Sequence, residues 1–293
     1  MSKEHEVAVV QYFTDMAGIE RLAAALFEEQ RRLVEDPTLK KIFSTFVVDE
    51  HRHASAAERL AAHYDVHRYR AYEMNPHLVR FTPHFVNAIR FLSAEIANTY
   101  ITCGELILDV ALLRSLNDFV NDGMSEQAMN LINRDESRHI AIDFHMAEYY
   151  ASEAYARRCA SAPARPLRER VKAWWAFANV LYHAAPFFKH VFFEPMDLTD
   201  PTGRRLREAF KRMQLLGTKP GLDQRPFVRF LQLLQDGYNH PVVRAFLGRL
   251  IVRIIGVEPR VLEILYTERE AHRAHAMSFD EMAEEALLAK YAC

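Results

Sequence analysis

The chain has 293 residues, a formal net charge of −2, 50% hydrophobic residues and 11% aromatic ones. That composition excludes wholesale disorder and supplies a sizeable core. With no block of like charge, it gives no electrostatic support to nucleic-acid or anionic-membrane binding. The three cysteines, Cys103, Cys159 and Cys293, are too few and too scattered for a disulfide framework or a thiolate metal site. A reducing cytoplasm is the simplest compartment, and Met1–Glu6 does not read as a signal peptide.

Nine glycines and long strings of Ala, Leu, Glu and Arg favour helices over strands. A first helix is expected from about Glu6 to Glu35. Asp36-Pro37 reads as a cap followed by a proline at the first helical position, opening a second helix to about Tyr64. Thr82-Pro83 repeats that signal for a third helix ending near Val120. Asn121-Asp122-Gly123 is a turn, after which Ser125 caps a fourth helix to about Ala160. Pro163 to Pro166 form a linker. A fifth helix carries Trp174, Trp175, Tyr182, Phe187, Phe188, Phe192 and Phe193, with a kink expected at Pro186. Pro201, Pro226, Pro241 and Pro259 mark further helix starts. Apolar runs such as 176–188 are too short to span a bilayer, so a soluble protein is expected. The reading is an all-α chain of one domain: residues 1–160 form a four-helix unit, and 161–293 are accessory helices packed on it.

The informative feature is a doubled motif. Asp49-Glu50-His51-Arg52-His53 lies in the second helix and Asp135-Glu136-Ser137-Arg138-His139 in the fourth. Glu and His at i and i+3 project from one helical face, and a carboxylate with an imidazole suits iron, manganese or zinc. One helix before each motif stands a glutamate on an apolar face. Glu20 sits among Phe13, Met16, Ala17, Ala23, Ala24 and Phe27, and Glu105 among Ile101, Leu108 and Leu112. Glu20 precedes Glu50 by 30 residues and Glu105 precedes Glu136 by 31, so the helix pair repeats. Glu28 or Glu29 remain alternatives to Glu20, and Glu95 or Asp109 to Glu105; the apolar flanks favour the first choices. Buried carboxylates are costly unless cations neutralise them. One Glu from each of two helices plus Glu-x-x-His from each of the other two is the ligand set of di-iron carboxylate bundles.

These residues resemble the ferritin-like di-iron oxygenases. The spacing is similar to that of the p-aminobenzoate N-oxygenase family, and the Asp-Glu-x-Arg-His form also resembles soluble acyl-carrier-protein desaturases. The resemblance covers about residues 15–145. It implies a ferritin-like bundle in which Glu20, Glu50, His53, Glu105, Glu136 and His139 bind two iron ions, or a manganese–iron pair, with dioxygen as co-substrate. Asp49 and Asp135 would orient the ligand histidines across the bundle, with Arg52 and Arg138 completing that outer ring. The N-oxygenases carry one further histidine where this chain has Ile132, which puts N-oxygenation rather than hydroxylation in doubt. Asp143, one turn beyond His139, is a seventh ligand, a nearby acid or, on the reading slightly preferred, a capped or solvated aspartate. Glu268, His272 and His275 offer another ligand source, set against a solvated helix face. His183 and His190 read better as pocket wall or packing than as ligands.

The expected activity is oxidation of a small organic substrate, in a pocket walled by Phe13, Phe27, Phe46, Ile101 and Leu108. No flavin or nicotinamide fingerprint occurs, so an external ferredoxin or flavin reductase is implied. The alternative enzyme is a desaturase or hydroxylase of a carrier-bound acyl chain, docked on Arg204, Arg205, Arg207, Lys211 and Arg212. Iron storage with ferroxidation, a ribonucleotide-reductase radical subunit and a metal-free helical scaffold are the readings of other classes. A homodimer is the default assembly.

Overall fold

In the computed structural model, which describes residues 1–255 and 258–292, every regular element is helical. Ser2 caps α1 (Lys3–Leu33) by accepting the His5 N–H. Asp36 caps α2 (Pro37–Tyr64), its carboxylate taking the N–H groups of Thr38 and Leu39, with Pro37 in the first turn. Helix α3 runs over Pro76–Phe91 and begins at Asn75-Pro76, not at Thr82-Pro83. The Thr82 hydroxyl turns back to the Leu78 carbonyl instead of capping, and Pro83 is carried inside the helix.

The third bundle helix therefore starts later than expected. Ser93 caps α4 (Ala94–Leu106), which continues through a π-helical segment, Ile107–Leu112, into α5 (Leu113–Val120). Residues 94–120 are long and apolar enough to cross a membrane, which the sequence reading did not anticipate, yet 72% of the apolar window is buried inside the fold. Asn121 adopts a left-handed turn, and Asp122 caps α6 (Gly123–Ala151). Ser125 is not the cap: its N–H donates to Asp122, and its hydroxyl meets the Tyr64 phenol. Helix α6 ends earlier than expected because Ser152 turns extended and caps a separate α7 (Glu153–Ser161).

The accessory region comprises α8 (Leu167–Phe187), a second π segment (Phe188–Phe193), α9 (Glu194–Thr199), α10 (Arg204–Gly217), α11 (Pro226–Asn239), α12 (Pro241–Ile255), α13 (Pro259–Leu262), α14 (Glu268–Ala276) and α15 (Phe279–Ala292). Pro226, Pro241 and Pro259 stand at first positions as expected. Pro201 does not open a helix. The Asp200 carboxylate ties back the Thr202 hydroxyl and the Arg205 N–H, and Gly203, at φ +60°, precedes the start of α10.

Helices α1, α2, α6 and α4 pack in a ring, each against the next. Around it, α3 lies on α8, α10 on the first π segment and α15 on α6. One cluster of buried side chains runs from Val9 in α1 to Ala289 in α15, so the accessory helices share the bundle's core.

Candidate metal centre

Each bundle helix sends acid into the ring. Glu20 on α1, Glu50 on α2 and Glu136 on α6 have no exposed surface, and Glu105 on α4 is buried directly before the π segment. His53 and His139 sit one turn after Glu50 and Glu136 and are buried beside them. Among the described residues, these six form two overlapping clusters able to hold a metal ion. One is Glu20, Glu50, His53 and Glu136; the other is Glu50, Glu105, Glu136 and His139. Within each cluster the ligand atoms all lie within 4.8 Å of one another. Glu50 and Glu136 belong to both.

The alternatives raised by the sequence fall elsewhere. Glu28 pairs with Arg31 and Arg32, and Glu29 with Arg32 and Arg90. Glu95 lies in the first turn of α4 and Asp109 in the π segment, and neither belongs to a cluster. Glu268, His272 and His275 are exposed on α14. His183 and His190 stack on His84 and His77 between α8 and α3.

The two histidines are placed alike. His53 Nδ1 faces inward, 3.0 Å from Glu136 and 3.9 Å from Glu20, while its Nε2 lies 3.5 Å from Asp135 of the facing helix. His139 Nδ1 lies 3.0 Å from both Glu50 and Glu136, and its Nε2 is 3.9 Å from Asp49. Each aspartate thus backs the histidine of the other motif. Arg138 bridges the two aspartates, at 3.0 Å from Asp49 and 2.9 Å from Asp135. Arg52 is mostly exposed and approaches only Asp49, at 3.5 Å.

The electrostatics show what the ring lacks. Burial, reinforced by Glu50 and Glu136, holds the Glu20 carboxyl well above the usual range. Burial and then Glu136 do the same to Glu105. Burial opposes charge on the imidazoles, yet the Glu136 and Glu50 carboxylates beside His53 push it up to about 10. The same contest, won by Glu136, raises His139 well above its ordinary value. Burial also opposes the Glu136 carboxylate, but His139 and His53 hold it well below. Crowded buried carboxylates thus favour bound positive charge, whether protons or metal ions.

The donor set fits a pair of divalent ions. Both carboxylate oxygens of Glu20 and of Glu50, and both ring nitrogens of His53, are buried without a well-aligned hydrogen bond, although His53 Nδ1 lies 3.0 Å from Glu136 and Glu50 lies 3.0 Å from His139. Such atoms are costly unless something binds them. Four carboxylates balance two divalent charges, and mixed oxygen and imidazole donors suit iron, manganese or zinc.

Asp143 lies on the same face of α6, fully buried, with neither carboxylate oxygen hydrogen-bonded. Burial raises its carboxyl well above the usual range, against the pull of His139. It belongs to neither cluster. The sequence reading missed its neighbours: Asn98 donates to the Asp143 carbonyl and accepts from Gln30. The only trace in the sequence is that Asn98, Thr102 and Glu105 share helical spacing. Phe27 and Phe46 pack edge-on or tilted against the His139 ring, at 5.1 and 4.1 Å between centroids. Phe13, Ile101 and Leu108 are buried in the same core. Compared with known protein families, with curated proteins and with solved structures, the chain matches none of them.

Proposed function

We propose that this chain is a ferritin-like, non-haem di-iron oxygenase that uses dioxygen to oxidise a small organic substrate. The observation that carries this reading is the pair of buried four-residue clusters sharing Glu50 and Glu136. Glu20 and His53 would complete one ion's ligands, and Glu105 and His139 the other's. When bound, a pair of iron ions supplies dioxygen activation, the chemistry for which the side chains have no substitute. Asp135 and Asp49, bridged by Arg138, stand 3.5 and 3.9 Å behind His53 and His139 and would orient those rings as ligands. Phe27 and Phe46 keep water from the His139 side. Burial raises the Asp143 carboxyl well above its usual range, one turn from His139. Electrons come from a separate ferredoxin or flavin reductase.

The carrier-protein alternative is less favoured by the surface of α10. Arg205 pairs with Asp118, Lys211 with Glu270, and Arg212 with Glu208 and Glu285, so these cations are already engaged within the chain.

The test is metal content after anaerobic Fe(II) loading, beside Glu136→Ala, followed by exposure to oxygen. The expected result is about two irons per chain, as in di-iron bundles, lost in the variant, with a visible absorption band appearing on oxygenation. A protein that retains no iron, or a variant that retains it all, sinks the proposal.

A further inference from the structure

Between the bundle and the accessory layer lies a cavity of about 210 Å³. Tyr100, Cys103 and Ile107 of the α4 side form one wall, and Phe188, Phe227 and Leu262 of the accessory helices stand in the others. Among the described residues, no charged side chain lines it.

The amide side chains and Thr99 in its walls are already engaged, while the Tyr100 and Tyr150 hydroxyls and the Cys103 thiol also line it. Asn98 donates to the Asp143 carbonyl at 3.1 Å and to Thr102 at 3.3 Å, and accepts from Gln30. Gln214 donates to the carbonyls of Val261 and Glu263 and accepts from the Leu265 N–H. The Thr99 hydroxyl donates to the Glu95 carbonyl. A charged guest would shed its water with no countercharge in return, whereas an apolar guest gains by leaving water. A dry cavity of about 150 Å³ takes up one benzene, so at equal filling this one takes about eight carbons.

The cavity is also close to the metal centre. Asn98 and Thr102 line it from α4, two turns and one turn before Glu105, and Asn98 reaches the backbone of Asp143, which shares a face with Glu136 and His139.

We infer that this cavity binds an uncharged, apolar molecule of about eight carbons, or the apolar end of a longer one, and, resting on the oxygenase reading above, that this is the substrate class presented to the metals.

The experiment is calorimetric titration of the metal-free protein with straight-chain alcohols from butanol to dodecanol, and with octanoate as a charged match for octanol. Affinity is expected to rise about fourfold per added carbon until the cavity is filled, and octanoate is expected to bind far more weakly than octanol. Ala184→Phe, which places a ring in the cavity, should abolish binding. Leu216→Ala, which widens it, should move the best length to longer alcohols, and this holds the test open should the first variant fold poorly. Octanoate binding as well as octanol, or a length series indifferent to both variants, overturns the inference. Because these titrations use no metal, a protein that binds octanol but no iron keeps its ligand site and loses the oxygenase reading. A protein that binds iron but no alcohol loses the substrate class alone.

Discussion

At the scale of single residues, the two motifs are alike in sequence but unequal in what surrounds them. His53 and His139 each present Nδ1 to the acidic ring and Nε2 to an aspartate of the other motif. The arginines break the symmetry. Arg138 spans Asp49 and Asp135, while Arg52 is mostly exposed and touches only Asp49. Groups that orient a ligand histidine commonly control metal affinity about 10- to 100-fold. Arg138→Met should therefore weaken metal binding by about tenfold or more, and Arg52→Met should leave it within about twofold, since exposed pairs contribute little. Competition against a chelator of known affinity measures both, and equal losses would refute the distinction. The choice of Glu20 over Glu28 and Glu29 was legible, because an acid flanked by Phe13, Met16 and Phe27 on one helical face must be buried. The roles of the arginines were not legible. Which of two identical motif positions reaches across to the partner helix depends on how α2 and α6 rotate against each other, and a one-dimensional pattern does not carry that.

At the scale of elements, caps were legible where a side chain and a proline agree, as at Asp36-Pro37, and misleading where the side chain had another partner. Thr82 looked like a cap and bonds back to Leu78; Ser125 looked like one and is itself capped by Asp122. The π segments left no sequence mark, although one directly follows Glu105. The seam between α3 and α8 was equally hidden. His77 and His84 lie seven residues apart on α3, as do His183 on α8 and His190 on the π segment that continues it, and they stack in pairs at 4.5 and 4.4 Å. Burial, followed by His190 and Arg80 and opposed by Glu194, lowers the His77 imidazole. Burial, followed by His84 and Arg80, lowers His183. Lowered histidines bind fewer protons folded than unfolded, so their contribution is intact above about pH 6.5, the ordinary histidine value, and is lost as pH falls from there toward the lowered folded values. Thermal unfolding followed from pH 8 to pH 5 should show Tm falling on acidification. The fall should be shallower in a His77→Gln/His183→Gln double variant, and an unchanged slope would remove the seam from the explanation.

At the scale of the whole molecule, the helical class, the bundle's position in the first half of the chain and the proline starts of α11, α12 and α13 were readable from pattern alone. How the accessory helices close over α4 was not, because the cavity arises between elements far apart in sequence, such as Tyr100 and Phe227. What joins those helices to the site is a shared core around a ring that is overcharged on its own. The carboxylates that outweigh its burial push His53 up to about 10 and raise His139 in the same way, while burial first of all holds Glu20 and Glu105 well above the usual carboxylate range, so each of these shifts favours a bound proton. A metal ion must displace those protons before it can take their place. Loading with Fe(II) or Mn(II) near pH 7 should therefore release protons, and affinity should climb with pH until the histidines are neutral without help. Anaerobic calorimetry in buffers of different ionisation enthalpy counts the protons directly. The bound ions should also raise Tm, because they bind the folded ring and not the open chain. Tight binding with no proton release would mean that the ring is ionised before the metal arrives, and the fold would then owe its buried carboxylates to some neutralising partner other than the histidines.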